Sequence, residues 1–341
     1  MNAAASLVQV PVGPVIELRS LAAIIAERRA PRWLPGLRNI LECDVLAILA
    51  GSRGTFKSFI ANELAMRTAL EDQPVVLLSG EGAGLGMRAE AWIKAHAPRL
   101  NPEDLPVTVL ERPLQLSVPS ELDALATEID ALPEDPALIV VDTWSKFAGG
   151  LDENSNSEVA GYLSSLSRGL RERFGSTVLI VAHTGHNEGG RPRGASALAA
   201  NTDAEYIVTR APGAMQVSVS RERFKDTPSL PPLGYEARVI ELGREDEYGD
   251  PVTSLALYAT DAPVLQAGAK AAGNNQRAVM AAVREWARTH DQPAIHSDEL
   301  RSIHRTAGIA RQRVAELNNF LVNAGILTPS VGGFMVNRGA L

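Results

Sequence analysis

Residues Gly51 to Ser58 read GSRGTFKS, which meets the phosphate-loop spacing G-x-x-x-x-G-K-[ST] except at Phe56, before the lysine. The octapeptide follows the apolar run VLAILA (45–50) and opens a helical stretch from Ser58 to about Leu70. In that setting the main-chain N–H groups of Gly51, Ser52, Arg53, Gly54, Thr55, Phe56, Lys57 and Ser58 can cradle the phosphates of ATP at a helix N-terminus. Lys57 can reach the β- and γ-phosphates, and Ser58 can offer its oxygen to Mg2+. Phe56 still supplies its N–H, and the expectation is a negative φ with the ring turned into the helix–sheet interface. A plain strand–turn–helix is the alternative reading of the loop alone.

Three further polar groups close apolar runs. ALIVVD (137–142) ends in Asp142, a carboxylate placed to orient a metal's water shell. PVVLLSG (74–80) is followed by Glu81, which can accept a proton from an attacking water. STVLIVAHT (176–184) carries His183 near its end, able to hydrogen-bond a γ-phosphate. One polar residue at a strand end is ordinary. Four positions on the carboxyl ends of four strands match the place where open α/β sheets bind ligands.

The elements that must position these groups form an α/β chain. Apolar runs alternate with helical segments through residue 184, as a parallel sheet covered on both faces requires. SELDALATEIDAL carries Leu122, Leu125, Ile129 and Leu132 at helical spacing, with Ser120 expected as N-cap. EVAGYLSSLSRGLRERF sets Val159, Leu163, Leu166 and Leu170 on one stripe. AEYIVTR, MQVSVSR, ARVIEL and SLALYA then follow at short spacing and predict an antiparallel extension of the sheet. DAPVLQAGAKAAGNNQ has the composition of a linker. Beyond it, three helices and two short strands around Gly332–Gly333 outline a winged helix, with Ser297 expected to cap the second helix. The expected organisation is an N-terminal arm (1–30), the α/β domain (31–260), a linker (261–275) and the small domain (276–341).

Composition narrows the function classes. The chain has 341 residues, 45% of them hydrophobic, which excludes wholesale disorder. Its single cysteine, Cys43, excludes an internal disulfide or a cysteine zinc site and fits a reducing compartment. The six histidines lack metal-ligand spacing; His183 and His186 have no nearby completing ligand. No apolar run approaches the roughly eighteen residues of a membrane span. MNAAASLVQVPVGP lacks a positive n-region, so a cytoplasmic protein without membrane partners is expected. The formal charge is −7, yet residues 271–341 hold eight arginines against five acids, a net +3 that leaves −10 on the rest.

In the third helix of the small domain, Arg311, Arg313, Asn318, Asn319 and Asn323 are expected opposite the apolar stripe of Val314, Leu317, Leu321 and Ala324. Arginine and asparagine pair with guanine and adenine edges, so duplex DNA is the expected partner; protein contact or ring assembly is the alternative.

Glu81, the phrase VVDTWSKFAGGLDENSNSEV and the phrase VAHTGHNEGGRPRGASALAANTDAEYIV resemble the RepA-type, RecA-like plasmid and phage replication ATPases, relatives of ring-forming replicative helicases. The resemblance runs from about Ala30 to Thr260, and some members of that family carry an aromatic before the loop lysine. It implies a RecA-like P-loop core in a homo-oligomeric ring that uses ATP and Mg2+. It gives Lys57 and Ser58 nucleotide and metal roles, Glu81 the base, Asp142 the metal and His183 the γ-phosphate. It also implies a basic finger from the neighbouring subunit, with Arg223 and Lys225 the first choice and Arg193 the second; a solvated charge on a strand edge is the alternative. The loops after Asp142 and His183 are expected to face a central channel, with Lys146, Arg191 and Arg193 toward single-stranded DNA. The expected function is therefore an ATP-driven ring motor on DNA. The alternative is a nucleotide-switched DNA-binding regulator. A metabolic P-loop kinase fits less well, since no arginine-rich lid segment is visible.

Overall fold

Alternation along the apolar strands sorts their side chains onto two faces, and each face is closed by different helices. The computed structural model describes residues 18–27, 30–80, 84–152, 155–183, 198, 200–224, 230–261, 274–290, 292, 294–310, 313–323, 326–330 and 332–337. Five parallel strands carry the pattern: β1 (Leu46–Gly51), β2 (Val75–Ser79), β3 (Val107–Leu110), β4 (Leu138–Asp142) and β5 (Thr177–His183). Ala47, Leu49, Val75, Leu77, Leu138, Val140, Leu179 and Val181 pack on the side of α2 (Lys57–Leu70) and α3 (Gly84–His96). Leu46, Ile48, Val76, Leu78, Ile139, Val141, Val178 and Ile180 pack on the other, under α4 (Pro119–Asp130), α5 (Trp144–Phe147) and α6 (Asn156–Leu166). The stripe of α6 is buried as its spacing predicts, and the helix continues through a wider π turn over Ser167–Glu172 that keeps Leu170 inside.

The sheet has nine strands in the order β3-β2-β4-β5-β1-β6-β7-β8-β9. The last four are β6 (Ala204–Thr209), β7 (Gln216–Phe224), β8 (Leu233–Glu245) and β9 (Pro251–Thr260). Only β7 to β9 are antiparallel; β6 pairs parallel with β1, which corrects the expectation for AEYIVTR. The reason is connectivity: residues 184–203 return the chain to the start of β1, so β6 runs alongside it. Asp203 fixes that start, its Oδ2 accepting from Leu46 N at 2.9 Å while its own N donates to Leu46 O at 2.7 Å. Helix α4 begins at Pro119 with Val118 as its cap residue, so Ser120 lies inside the first turn rather than capping it.

Residues 1–32 form a separate unit. In it α1 (Leu21–Ala26) is capped by Ser20, whose Oγ accepts from Ala23 N at 3.2 Å, and Leu21, Ile24 and Ile25 are exposed.

The C-terminal residues have a core of their own. Helices α7 (Asn274–Thr289), α8 (Ser297–Thr306) and α9 (Val314–Asn323) enclose Val279, Val283, Leu300, Leu317 and Leu321. A third strand that the sequence pattern did not reveal, β10 (Ala294–His296), joins β11 (Leu327–Ser330) and β12 (Gly333–Val336) in an antiparallel sheet of order β10-β12-β11. His296 is the cap residue of α8, and Ser297 instead donates from Oγ to Gly332 O at 3.2 Å, tying the helix to the β11–β12 turn. Asn318 is half-buried with its Oδ1 enclosed, not exposed as expected, because it lies between Leu317 and Leu321 at the flank of the buried stripe. Arg313 and Asn319 are exposed, and Arg313 pairs with Glu316 at 3.1 Å. Arg311 and Ala324 lie outside the described residues.

Candidate active site

Register places the polar tips of β2, β4 and β5 together. Ser79 is level with Asp142, Asp142 with Val181, and His183, two residues on, with Gly51. The two-residue period then puts Ser79, Asp142 and His183 on the face that α2 covers. Helix α2 brings its first turn to the same place: Ser58 Oγ donates to Asp142 Oδ1 at 3.1 Å. Both oxygens are hard donors of the kind that hold a divalent ion retaining several waters. Asp142 is buried, and so is Ser79, whose Oγ has no hydrogen-bond partner among the described residues. A buried hydroxyl left without a partner on this face suits a site completed by bound water, metal or phosphate oxygen. The residues present therefore fit Mg2+ with a nucleotide. Glu81 lies outside the described residues.

The loop between β1 and α2 is held by its own groups. Lys57 is buried, and its Nζ donates to Ser52 O at 2.7 Å; Thr55 Oγ1 donates to the same carbonyl at 2.9 Å. Gly51 is needed for space, since a Cβ there would stand 2.7 Å from Val208 O. Gly54 is needed for its backbone, with φ +76°.

Phe56 departs from expectation in one respect. Its ring does pack at the helix–sheet interface, edge-on to Phe59 with centroids 5.9 Å apart, but its φ is +65° rather than negative. The loop must turn left-handed before α2, and that requirement outweighs the preference of an L side chain, at a cost of roughly 1–2 kcal/mol. Against this stands a group that sequence reasoning missed. Arg210, just past β6, lays its guanidinium over the Phe56 ring at 3.8 Å and donates from Nη1 to Gly54 O at 2.5 Å. A cation–π contact contributes about 0.5–2 kcal/mol, the same order as the backbone cost. The only signal in the sequence was a charged residue ending a strand; its neighbour could not be known before the strand order.

The remaining predicted groups are dispersed. Arg223 on β7 is paired with Glu205 in β6, three residues before Val208, which is level with Gly51. It therefore sits about 10 Å along the strands from its own loop, toward the opposite edge of the sheet. Lys146, on α5, is exposed, and its stem packs where a Cβ on Gly80 would fall, 2.6 Å from Lys146 Cβ. Lys225, Arg191 and Arg193 lie outside the described residues. No group of His, Cys, Asp and Glu suited to hold a metal occurs among the described residues. Nor does any described helix have the length and apolarity to cross a membrane.

Comparison with known proteins agrees with this architecture. The chain is similar to a solved, separately crystallised-length ATPase domain, at 12% identity over 68% of this chain and 95% of that one, with a TM-score of 0.48. It is similar to the RadB recombinase at 17% identity over 60% and 92% of the two chains, TM-score 0.45. It is also similar to a DnaB-like replicative helicase, solved with attention to its interactions with primase, at 13% identity over 69% and 68%, TM-score 0.50. The last likeness supports a RecA-like fold for the α/β region. No curated protein matches the chain. Residues 15–189, just over half of the sequence, match the model of the AAA domain family AAA_25, and the chain belongs to that family as a P-loop ATPase with a RecA-like fold.

Proposed function

We propose that this chain is an ATP-hydrolysing motor that acts on DNA as a homo-oligomeric ring in phage- or plasmid-type replication. The observation that carries the reading is the division of groups between two edges of one sheet. Lys57, Ser58, Asp142 and His183 gather at the carboxyl edge, while Arg223 lies toward the other. A subunit built this way holds the nucleotide by itself and offers a cation to a neighbour. A DnaB-like replicative helicase has this fold, which is in keeping with the same use.

In this reading the main-chain N–H groups of residues 51–58 orient the phosphates, and Lys57 leaves the Ser52 carbonyl to meet them. Ser58 and Asp142 would hold Mg2+, which when bound neutralises phosphate charge. Glu81, two residues beyond Ser79, takes the proton of the attacking water, and His183 donates to the γ-phosphate. Arg223, or Lys225 beside it, completes the site of the next subunit, with Arg193 the second candidate. Lys146, Arg191 and Arg193 face single-stranded DNA in the channel. Residues 276–341 are a winged helix that binds duplex through Arg313, Asn319 and Arg311, with residues 261–275 as the linker. The site of action is the cytoplasm.

A second reading, a nucleotide-switched DNA-binding regulator with slow hydrolysis, is favoured by the net −10 outside residues 271–341, a poor charge for gripping a strand. ATP turnover with and without single-stranded DNA separates the two, on wild type and on Lys57→Ala, Glu81→Gln and Arg223→Ala. The motor requires turnover that DNA stimulates and all three substitutions remove. Turnover indifferent to DNA and to Arg223→Ala leaves the regulator.

A further inference from the structure

Four non-glycine residues among those described have positive φ: Asn39, Asp44, Phe56 and Asp72. Three are Asn or Asp, whose short polar side chains tolerate the left-handed region; Phe56 is the exception, and it stands immediately before the loop lysine. Its ring is fixed on two sides, by the edge of Phe59 and by the guanidinium of Arg210. Arg210 is itself anchored. Nε donates to Ala214 O at 2.5 Å within the β6–β7 turn, and Nη1 donates to Gly54 O at 2.5 Å in the loop. One side chain thus joins the β6–β7 turn to both the backbone and the aromatic group of the phosphate loop.

We propose that Arg210 is a positioning residue for nucleotide binding, which holds Phe56 in its left-handed conformation so that the N–H groups of residues 54–58 stay aimed at phosphate. The proposal rests on the nucleotide reading of GSRGTFKS and deepens it. Arg210 acts through Phe56, not on the nucleotide. The planar guanidinium is essential, because it stacks and donates at once; a lysine ammonium keeps the charge without the stack or the fork. A glycine at position 56 adopts positive φ without steric cost and removes the need for the clamp.

The test is a double-substitution cycle on the full chain, read as the dissociation constant of a fluorescent ATP analogue with Mg2+, alongside kcat and KM for ATP. Arg210→Ala and Arg210→Lys should each weaken binding about tenfold. In the Phe56→Gly background, Arg210→Ala should cost less than about twofold. Equal losses in the two backgrounds would overturn the proposal, since Arg210 would then act directly or through charge alone. So would an Arg210→Ala variant that binds as wild type does. Wild type that binds no better than Lys57→Ala would instead remove the nucleotide reading beneath it. Thermal melts accompany every variant, and if Arg210→Ala fails to fold, the cycle is run with Arg210→Lys.

Discussion

Ser58 Oγ and Asp142 Oδ1, 84 residues apart in sequence, meet at 3.1 Å and join the first turn of α2 to the tip of β4. The pair links a hydroxyl on the nucleotide loop to a carboxylate on a strand two places away in the sheet. If it is the Mg2+ seat, its two halves should fail together. Ser58→Ala and Asp142→Asn should each lower ATP turnover on the order of 10²-fold. The double variant should be little worse than either, because the groups act as one unit. Losses that multiply in the double variant would show two independent roles.

Ser79 provides a sharper separation of stability from activity. Its hydroxyl is 3% exposed and lacks a hydrogen-bond partner among the described residues, although it stands level with Asp142. An unsatisfied buried hydroxyl costs about 1–3 kcal/mol, so Ser79→Ala should melt no lower than wild type without nucleotide. With Mg2+ and ATP the variant should turn over more slowly, about tenfold, having lost a contact that only the loaded site makes. A fall in melting temperature without nucleotide, with turnover intact, would make Ser79 a packing residue.

The sheet core was legible because each of its central strands is a continuous apolar run, and the polar tips of β2, β4 and β5 stood out against those runs. Their meeting was not legible, since strand order places β4 and β5 between β2 and β1. The direction of β6 was misread for the same reason: short spacing suggests hairpins, while a return crossover leaves no mark in AEYIVTR. Phe56 was visible as an anomaly, but its support comes from Arg210, 156 residues beyond Gly54. No local pattern can report such a pairing. Strand β10 is only three residues long, too short for a period to emerge.

Glu63 predicts a pH dependence of stability. It is 5% exposed in α2, accepts from Trp92 Nε1 at 2.5 Å and lies 4.0 Å from His96 Nε2 in α3. Burial raises its pKa above the ordinary 4.5, opposed by the Trp92 hydrogen bond and by the nearby His96 and Arg67 charges. An acid whose folded pKa is raised binds its proton more tightly when folded. Its contribution is therefore complete below about 4.5 and is lost as pH rises through the raised value. Glu63→Gln keeps an oxygen for Trp92 and cannot ionise. The variant should match wild type near pH 4 and exceed it at neutral pH, by about 1.4 kcal/mol for each unit that the pKa is raised. Denaturant titrations at several pH values would show it, and a difference independent of pH would contradict it.

The C-terminal residues predict a division between surface and core. Arg313 and Asn319 are exposed on α9, whereas Leu321 is fully buried in the core that α7, α8 and α9 share. If this helix reads duplex DNA, Arg313→Ala and Asn319→Ala should weaken binding about tenfold and leave the melting temperature unchanged. Arg313 must leave Glu316 to reach a phosphate, so Glu316→Ala should tighten binding at low salt. The salt dependence separates the two contacts. Loss of a phosphate contact lowers the salt slope by about one, and loss of a base contact does not. Leu321→Ala should instead destabilise by about 2–5 kcal/mol and weaken DNA binding only as far as the domain unfolds. Affinity for DNA that ignores both surface substitutions would assign α9 to contacts between protein surfaces.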